Sequence, residues 1–210
     1  MIARPPRLLL VDYGMGNLRS AAKALEAQGA RVEVTASRAA LRRADGVVLP
    51  GDGAFAPAVA RLKSSRLFEP LQAWIAAGRP FLGICLGMQL LFDESEEFGL
   101  HRGLGAFPGR VVAYPRNLRV PHMGWNRLEP GAPSWLLRGL SPRPWMYFVH
   151  SFFPVPTRRK DIAAWTGYGK RFASAVARGA VAGVQFHPEK SQRDGQRLLG
   201  NFLTIVRRFG

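Results

Sequence analysis

The chain has 210 residues, of which 47% are hydrophobic and 21% charged, with 23 Gly, 16 Pro and a single Cys. This length and composition suit a large α/β domain and exclude a disordered tail, a collagen-like fibre and a disulfide-stapled miniprotein. The 30 Lys and Arg residues against 14 Asp and Glu give a formal net charge of +16, which raises nucleic-acid binding as a hypothesis.

The N-terminal segment predicts where the protein resides. The apolar run before Asp12 covers only residues 8–11, which is too short for the core of a signal peptide. No stretch approaches the length of a membrane span. We therefore expect a cytoplasmic protein without membrane contact, in which the cysteine stays reduced and residues 1–6 form a loose N-terminal extension.

Strands and helices are predicted to alternate through residue 92. Short apolar runs that end in glycine or proline turns are typical of buried parallel strands, and the segments between them have apolar residues at helical spacing. Asn17 is placed to cap the first helix, which ends at Gln28 and Gly29. The predicted strands are residues 7–11, 32–34, 46–49 and 80–85, and the other predicted helices are 54–62, 67–77 and a run at 88–92.

Beyond residue 100 the pattern changes to strands separated by Gly- and Pro-rich turns, followed by a final amphipathic helix that Ser191 is predicted to cap. A parallel half followed by a partly antiparallel half fits a single domain over residues 1–210 better than two domains. The predicted fold class is therefore α/β, with a mixed, mostly parallel central sheet flanked by helices. The predicted strands of this half are residues 110–114, 145–149, 174–178 and 181–186.

The single cysteine lies in a G-x-C-x-G segment, residues 83–87, between a predicted strand and a helical run. Glycines on both sides permit a strained strand-to-helix turn that exposes the side chain between them, which is the thiol version of a nucleophile elbow. Cys85 would then be the nucleophile, and the backbone N–H of Leu86 would help to bind an oxyanion. The alternative is a small buried cysteine with a structural role, which is the commoner fate of a cysteine.

A base for this thiol is predicted at the end of another strand. His187 directly follows the strand, and Pro188 stiffens the link to Glu189, which could orient one ring nitrogen while the other faces Cys85. A nucleophile, a base and an orienting acid are what acyl transfer by a thiol requires. The alternative is a strand-end histidine that stabilises a turn, and only the fold can bring two such distant residues together.

A glycine turn after the third strand and before a helix, residues 50–55 (P-G-D-G-A-F), is a candidate for the second oxyanion donor through its backbone N–H groups. A phosphate-binding loop is the competing interpretation. It is rejected because the Lys and Ser/Thr of such a loop are missing.

These segments together resemble the class I, triad-type glutamine amidotransferases, which have a flavodoxin-like fold. The elbow and the H-P-E segment are typical of the whole class. Further segments resemble one subfamily, the glutaminase subunits of imidazole glycerol phosphate synthase in histidine biosynthesis. The resemblance extends over nearly the whole chain, through residues 12–18, 50–55, 83–92, 120–126 (V-P-H-M-G-W-N), 147–152 (Y-F-V-H-S-F) and 183–192.

The resemblance implies hydrolysis of L-glutamine to glutamate and ammonia through a thioester on Cys85. His187 would serve as base and then acid, and Glu189 would fix its tautomer. No cofactor or metal is implied. Further residues would form the oxyanion site and the glutamine pocket, namely Gly51, Asp52, Gly53, Leu86, Gln89, His150 and Ser151.

The resemblance also implies a partner. Ammonia would pass to a (β/α)8-barrel cyclase subunit in a heterodimer, which makes imidazole glycerol phosphate and aminoimidazole carboxamide ribotide. Taken alone, Trp125 has an alternative role as a core aromatic residue, and Lys190 has one as a solvated charge. The residues that match interface positions of the subfamily are Asn17, Met123, Trp125, Tyr147 and Lys190.

Asp52 departs from the resemblance, because many relatives have a small apolar residue in this loop. A carboxylate that pointed inward would oppose the developing oxyanion, so we expect it to point outward while the backbone acts. If the second oxyanion N–H points away at rest, the free chain should be nearly inactive, and a peptide flip in Gly51–Asp52 would switch it on.

Three alternative functions fit the sequence less well. Another class I glutaminase, such as the one that supplies pyridoxal phosphate synthesis, would lack the segments at 121–126 and 187–192. A nucleic-acid-binding protein is disfavoured because the basic residues are scattered pairs and triplets, such as Arg42–Arg43, without interleaved aromatic residues or zinc spacing. A catalytically dead homologue is disfavoured because all three triad residues are present.

Overall fold

The computed structural model describes residues 4–209. Three short 3-10 turns, at Trp135–Leu137, Arg159–Asp161 and Pro188–Lys190, connect the regular elements. In chain order these elements are β1 (Arg7–Val11), α1 (Leu18–Glu26), β2 (Arg31–Thr35), α2 (Arg38–Arg43), β3 (Gly46–Leu49), α3 (Phe55–Ser64), α4 (Phe68–Ala76), β4 (Phe81–Ile84), α5 (Leu86–Gln89), β5 (Phe92–Ser95), β6 (His101–Arg102), β7 (Phe107–Ala113), β8 (His122–Arg127), β9 (Glu129–Pro130), β10 (Trp145–His150), β11 (Phe152–Pro156), β12 (Ile162–Tyr168), β13 (Lys170–Arg178), β14 (Val181–Val184) and α6 (Gln192–Phe209).

The central sheet has eight strands in the order β2-β1-β3-β4-β14-β13-β12-β9. The first five strands pair in parallel, and the remaining pairs are antiparallel. The order of the parallel part is the 2-1-3-4-5 order of flavodoxin-like sheets, in which sites form outside the carboxyl ends of the strands. The predicted fold class, α/β with a mixed, mostly parallel sheet, is confirmed.

Helices cover both faces of the sheet and bury their apolar sides against it, including the short α2, which the sequence analysis did not assign. On one face α2, α3 and α4 pack against the strands through side chains such as Leu62 and Trp74. On the other face α1 and α6 contribute residues such as Leu25 and Phe202. Because both faces are covered, β1, β3, β4 and β14 are apolar and buried almost throughout.

Two smaller sheets complete the domain. A four-stranded sheet has the order β11-β7-β5-β6, and β10 pairs with β8 as an antiparallel ribbon. The sequence predicted β7, β10, β13 and β14, with shifted ends, but β5, β6, β8, β9, β11 and β12 were not assigned. The ribbon lies beside the carboxyl ends of the parallel strands, since Tyr147 of β10 accepts the His187 backbone N–H at 2.8 Å.

The helical run predicted at residues 88–92 is wrong in its extent. The helix α5 is only Leu86–Gln89, and Phe92 begins a strand that pairs with β7. Residues 86–92 are all buried, so their sequence has no polar face that would distinguish a helix from a strand.

The predicted cap of the last helix also needs correction. Ser191 does precede α6, and its backbone carbonyl accepts the Gly195 N–H at 3.0 Å. Its hydroxyl, however, donates to the His187 carbonyl at 2.6 Å and accepts the Tyr147 N–H at 3.0 Å. The side chain therefore joins the histidine segment to β10 instead of capping the helix.

The start of the chain was expected to be a loose extension over residues 1–6. Residues 1–3 lie outside the described part of the chain. The Arg4 guanidinium is 3.0 Å from a carboxylate oxygen of Asp45, and the Pro6 carbonyl accepts the Arg31 N–H at 2.9 Å. Residues 4–6 are therefore held against the ends of β2 and β3. Within residues 4–209, each helix is too short or too polar to cross a bilayer.

Phe202 tests the packing of α6 against the sheet. Its side chain is fully buried, so Phe202→Ala should leave a cavity and lower the free energy of unfolding by about 3–5 kcal/mol. The matched control is Phe209→Ala on the same helix, where the ring is 58% exposed and the loss should stay within about 0.5 kcal/mol. Urea unfolding followed by circular dichroism measures both, and equal losses would contradict the packing.

Candidate active site

Cys85 lies in a sharp turn between β4 and α5, with φ 55° and ψ −112°. A side chain at Gly87 would collide with the Leu49 carbonyl, and one at Gly83 would collide with the Gly87 backbone. The Cys85 N–H donates to the Val184 carbonyl at 2.7 Å, which ties the turn to β14. A non-glycine residue in this region of φ is strained, and such strain is typical of functional sites.

His187 and Glu189 lie beside this turn because β14 is the neighbour of β4 in the sheet. The turn Pro188–Lys190 folds the carboxylate back, so that Nδ1 of His187 is 2.8 Å from Oε1 of Glu189. That contact places a proton on Nδ1. The other ring nitrogen, Nε2, is buried and has no hydrogen-bond partner among residues 4–209. It is therefore available to exchange a proton with Cys85.

The charge state of His187 follows from its neighbours. Burial lowers the pKa of its imidazole, but interactions with the Cys85 sulfur and the Glu189 carboxylate outweigh burial and raise the pKa to about 10. The imidazolium form is therefore favoured when the sulfur is negatively charged. Such a thiolate–imidazolium pair is the activated form of a cysteine nucleophile.

The Cys85 sulfur has two further contacts. It lies 3.7 Å from the Val149 carbonyl oxygen, to which the thiol can donate, and 3.7 Å from Nε2 of Gln185. Gln185 is buried and was not among the predicted site residues. The signal in the sequence was a polar side chain within an otherwise apolar strand end, two residues before His187.

A cavity of about 280 Å³ opens in front of Cys85. Of the residues predicted for the oxyanion site and glutamine pocket, all except Gly51 line it. Gly51 belongs to the same loop but is packed against Tyr13 and Leu86, with which a side chain at this position would collide. The full lining is Asn17, Asp52, Gly53, Cys85, Leu86, Gln89, Glu97, Pro121, Val149, His150, Ser151, Phe152, His187 and Lys190.

Glu97 is the acidic residue of the cavity that the sequence did not reveal. One of its oxygens accepts the Phe55 N–H at the start of α3 at 2.7 Å, and burial raises the pKa of its carboxyl group. It stands in an acidic run, residues 94–97, that resembles an ordinary solvated surface. Its place at the cavity depends on the fold, since β5 pairs with β7 and the carboxylate is bound to the start of α3.

The loop that holds the candidate oxyanion donors is stabilised from behind. The Tyr13 hydroxyl donates to the Pro50 carbonyl at 2.8 Å, and the Asp52 carboxylate accepts the Gly16 N–H at 2.9 Å. The carboxylate thus contacts the loop between β1 and α1. Leu86 provides the first N–H of α5, which has no partner within the helix.

A second histidine pair supports the wall of the cavity. Nδ1 of His150 donates to the Phe152 carbonyl at 2.8 Å, and its Nε2 lies 3.0 Å from Nδ1 of His122. Nε2 of His122 in turn accepts from the Asn126 amide at 3.2 Å. Nε2 of His150 therefore accepts from Nδ1 of His122, so that each ring has one nitrogen that donates and one that accepts. Each ring thus carries one proton and is neutral. Burial lowers the pKa of His122 to about 4 and that of His150 to about 3.

The predicted interface residues share one side of the molecule. Met123 and Trp125, on the outer face of β8, are 66% and 45% exposed, so Trp125 is not a core residue. Trp125 stacks edge-on against Tyr147 at 6.0 Å, and the Lys190 ammonium lies 5.5 Å from the Tyr147 ring centre. Asn17 accepts the Ser20 N–H as the predicted cap of α1 and lines the same cavity as Lys190.

In the part of the chain that the structure describes, no group of three or more His, Cys, Asp or Glu residues is placed to hold a metal ion. Residues 9–206 match the family model of "Glutamine amidotransferase class-I". The sequence is 48% identical over 202 residues to imidazole glycerol phosphate synthase subunit HisH of Syntrophotalea carbinolica, covering 93% of this chain and 98% of the relative. It is 49% identical over 211 residues to the same subunit of Synechococcus elongatus, covering 98% and 96%.

Solved structures show the same fold at lower identity. A putative GMP synthase protein from Thermoplasma acidophilum superposes with a TM-score of 0.74 at 19% identity, covering 99% of this chain and 96% of the other. PurLQS from Thermotoga maritima superposes with a TM-score of 0.72 at 18% identity, covering 95% and 98%.

The buried pair of His122 and His150 predicts how stability depends on pH. In the unfolded chain both rings bind a proton near pH 6.5, whereas in the folded chain they stay neutral down to about pH 4 and 3. Acidification from pH 6.5 to 4 therefore costs about 1.4 kcal/mol of stability per pH unit for each ring. His187 has the opposite sign: its raised pKa adds stability that is fully present below about pH 6.5 and is lost as the pH rises from there to about 10.

His122→Gln should reduce the slope of stability against pH by about 1.4 kcal/mol per unit between pH 6.5 and 4. Urea unfolding at a series of pH values measures it. Wild type and variant should have equal slopes between pH 7.5 and 8.5, where an unfolded histidine is already neutral. Equal slopes in the acid range would show that His122 is not buried as a neutral ring.

Proposed function

The chain belongs to the class I glutamine amidotransferase family, and on that premise we propose that Cys85, His187 and Glu189 hydrolyse L-glutamine in its cavity. The chain is a glutamine amidotransferase subunit of imidazole glycerol phosphate synthase, an enzyme of histidine biosynthesis. One observation supports the residue assignment most directly. A strained cysteine, an unpaired buried Nε2 and an orienting carboxylate meet at one edge of the sheet.

Glutamine would bind with its side-chain amide at Cys85 and its α-amino acid group deeper in the cavity. The buried Glu97 carboxylate suits the α-ammonium group. Gln89, His150 and Ser151 form the surrounding wall. A pocket of this size and polarity suits one small polar metabolite, which agrees with an amino acid as substrate.

In the first chemical step the proton on the Cys85 sulfur passes to Nε2 of His187, and the sulfur forms a bond to the amide carbon. The carbonyl oxygen becomes an oxyanion that faces the Leu86 N–H and the Gly51–Gly53 loop. Glu189 keeps the imidazolium in place through Nδ1. When the tetrahedral intermediate collapses, the C–N bond breaks and Nε2 gives its proton to the leaving ammonia.

The second half of the reaction removes the acyl group. A water molecule gives a proton to Nε2 of His187 while its oxygen attacks the thioester carbon. The C–S bond then breaks, the sulfur recovers the proton, and glutamate leaves. Each residue thus returns to its starting state, and no cofactor is required by this sequence of steps.

The ammonia would be used by a cyclase subunit, which we propose to be a (β/α)8 barrel that forms a heterodimer with this chain. The exposed aromatic and apolar side chains of the β8–β10 ribbon support this proposal, because isolated exposed residues of this size are normal but a contiguous patch marks an interface. The patch consists of Met123, Trp125 and Trp145, with Tyr147 and Lys190 beside it.

The cyclase would also control the oxyanion loop. The Asp52 carboxylate holds the loop to the Gly16 N–H, close to Asn17 on the proposed interface. A movement of the β1–α1 loop on binding would therefore reach the Gly51–Asp52 peptide. Loss of a single oxyanion donor costs roughly 10²–10³ in rate, which is enough to keep the free chain nearly inactive.

The positive charge does not require a nucleic-acid partner. Several arginines are paired with carboxylates, among them Arg178 with Asp161 and Arg171 with Glu129. Others lie over aromatic rings, such as Arg79 over Trp74. We propose that residues 1–210 act as one cytoplasmic domain without nucleic-acid or membrane contacts, and that an acidic partner surface complements the remaining charge.

The nucleophile is tested by Cys85→Ala, assayed for ammonia release from glutamine in the presence of the cyclase and its ligand. Because removal of the sulfur prevents the thioester, the rate should fall to the uncatalysed background, a loss on the order of 10⁴-fold or more. Thr204→Ala, on the exposed face of α6, is the control and should keep the wild-type rate. A Cys85→Ala protein that still releases ammonia would refute the mechanism.

The interface is tested by Trp125→Ala. The side chain is exposed in the free chain, so the substitution should leave the fold intact and weaken binding of the cyclase by about 10- to 30-fold in Kd. Isothermal titration calorimetry gives the Kd. Phe209→Ala removes another exposed ring, at the opposite end of α6 from His187, and should bind as wild type does. An unchanged Kd for Trp125→Ala would place the interface elsewhere.

A further inference from the structure

Gln185 is a fully buried amide at the end of β14 whose side chain contacts the reacting sulfur. We propose that Gln185 is a fourth catalytic residue, whose amide N–H binds the Cys85 sulfur while the thiol proton moves to His187. This inference rests on the proposed role of Cys85 as nucleophile. It assigns to Gln185 a function that the triad and the oxyanion loop do not supply.

The orientation of the amide is determined by its other partner. Nε2 of Gln89 lies 3.1 Å from Oε1 of Gln185, and the same nitrogen donates to the Phe152 carbonyl at 3.0 Å. Because Gln89 uses an NH₂ group in both contacts, the oxygen of Gln185 must face Gln89. The NH₂ group of Gln185 is thereby directed at Cys85. Gln89 thus acts as a positioning residue behind the sulfur, in addition to lining the cavity.

The two partners of the sulfur respond differently when the thiol loses its proton. The Val149 carbonyl can only accept, so its contact exists for the S–H form and becomes repulsive for a thiolate. The Gln185 N–H can donate in both states and becomes stronger when the sulfur is charged. Ionisation therefore exchanges a contact with Val149 for a stronger one with Gln185, and the charge on the sulfur stays beside a fixed donor.

The donor is rigid before substrate binds. The Gln185 backbone N–H donates to the Ser174 carbonyl at 2.9 Å, which continues the pairing of β14 with β13. The side chain is enclosed by protein on all sides, so it loses no hydrogen bonds to water when the sulfur ionises. A donor that is already oriented acts in catalysis without reorganisation cost.

The test compares Gln185→Met with the wild type, each assembled with the cyclase and assayed with saturating cyclase ligand. Methionine has a similar volume and no N–H donor. We expect kcat for ammonia release to fall about 10- to 100-fold, with KM for glutamine changed less than about threefold. The rate of Cys85 alkylation by iodoacetamide at pH 7 should fall about 10-fold, since that reaction needs the thiolate and no substrate.

Gln72→Met is the matched control, because the Gln72 amide donates to the Leu104 carbonyl at 3.3 Å and does not line the cavity formed by the described residues. It should keep wild-type kcat and alkylation rates. If Gln185→Met has a much lower melting temperature than the wild type, Gln185→Asn replaces it as the test variant. The same changes in kcat, KM and alkylation rate are then expected for Gln185→Asn. Asparagine retains an amide for Gln89 but is shorter by one C–C bond, about 1.5 Å, which withdraws the N–H from the sulfur.

Wild-type kcat and alkylation rates in a folded Gln185 variant would overturn the proposal. A lower kcat with an unchanged alkylation rate would also overturn it, because the residue would then act on the substrate and not on the sulfur. In either case Cys85→Ala remains inactive if the proposed function is correct. Failure of this inference is therefore distinguishable from failure of the proposed function.

Discussion

The contact between Gly87 and the Leu49 carbonyl is the constraint on which the site depends. Because Gly87 has no side chain, its backbone can lie against the Leu49 carbonyl at the end of β3. The chain can therefore leave β4 in a sharp turn that a larger residue at this position would prevent. The hydrogen bond from Cys85 to Val184 fixes the same turn against β14. One residue is thus held by both neighbouring strands, and the loops that follow those strands carry His187 and the proposed oxyanion donors.

Parallel pairing explains why such distant residues converge. The carboxyl ends of β3, β4 and β14 lie at one edge of the sheet, in register through Leu49, Gly83 and Gly183. The antiparallel second half then adds the ribbon of β8 and β10 across that edge. A single strand, β10, contacts the His187 backbone through Tyr147, the sulfur through Val149 and the cavity through His150. A partner bound to the outer face of the ribbon would therefore act on all three.

The sequence predicted β1, β3, β4 and β14 because these strands are apolar and buried almost throughout. The short helix α2 of the parallel half was not assigned. The sequence also predicted a candidate triad of Cys85, His187 and Glu189, since the G-x-C-x-G and H-P-E segments are short and local. It did not predict β5, β6, β8 or β11, where apolar and polar residues do not alternate clearly. Glu97 and Gln185 were missed for a related reason. Glu97 reaches the cavity, and Gln185 reaches the Cys85 sulfur, through strand pairing between distant segments, which a local pattern does not predict.

The uniqueness of Cys85 has a practical consequence for the biochemistry of the protein. Since the chain has one cysteine, thiol titrations of the folded and of the unfolded protein both count the same sulfur. One equivalent of a slow thiol reagent counts the molecules with a competent sulfur, and unfolding of the chain exposes the same sulfur to give the total. The ratio of the two reports the intact fraction of any preparation without a reference enzyme.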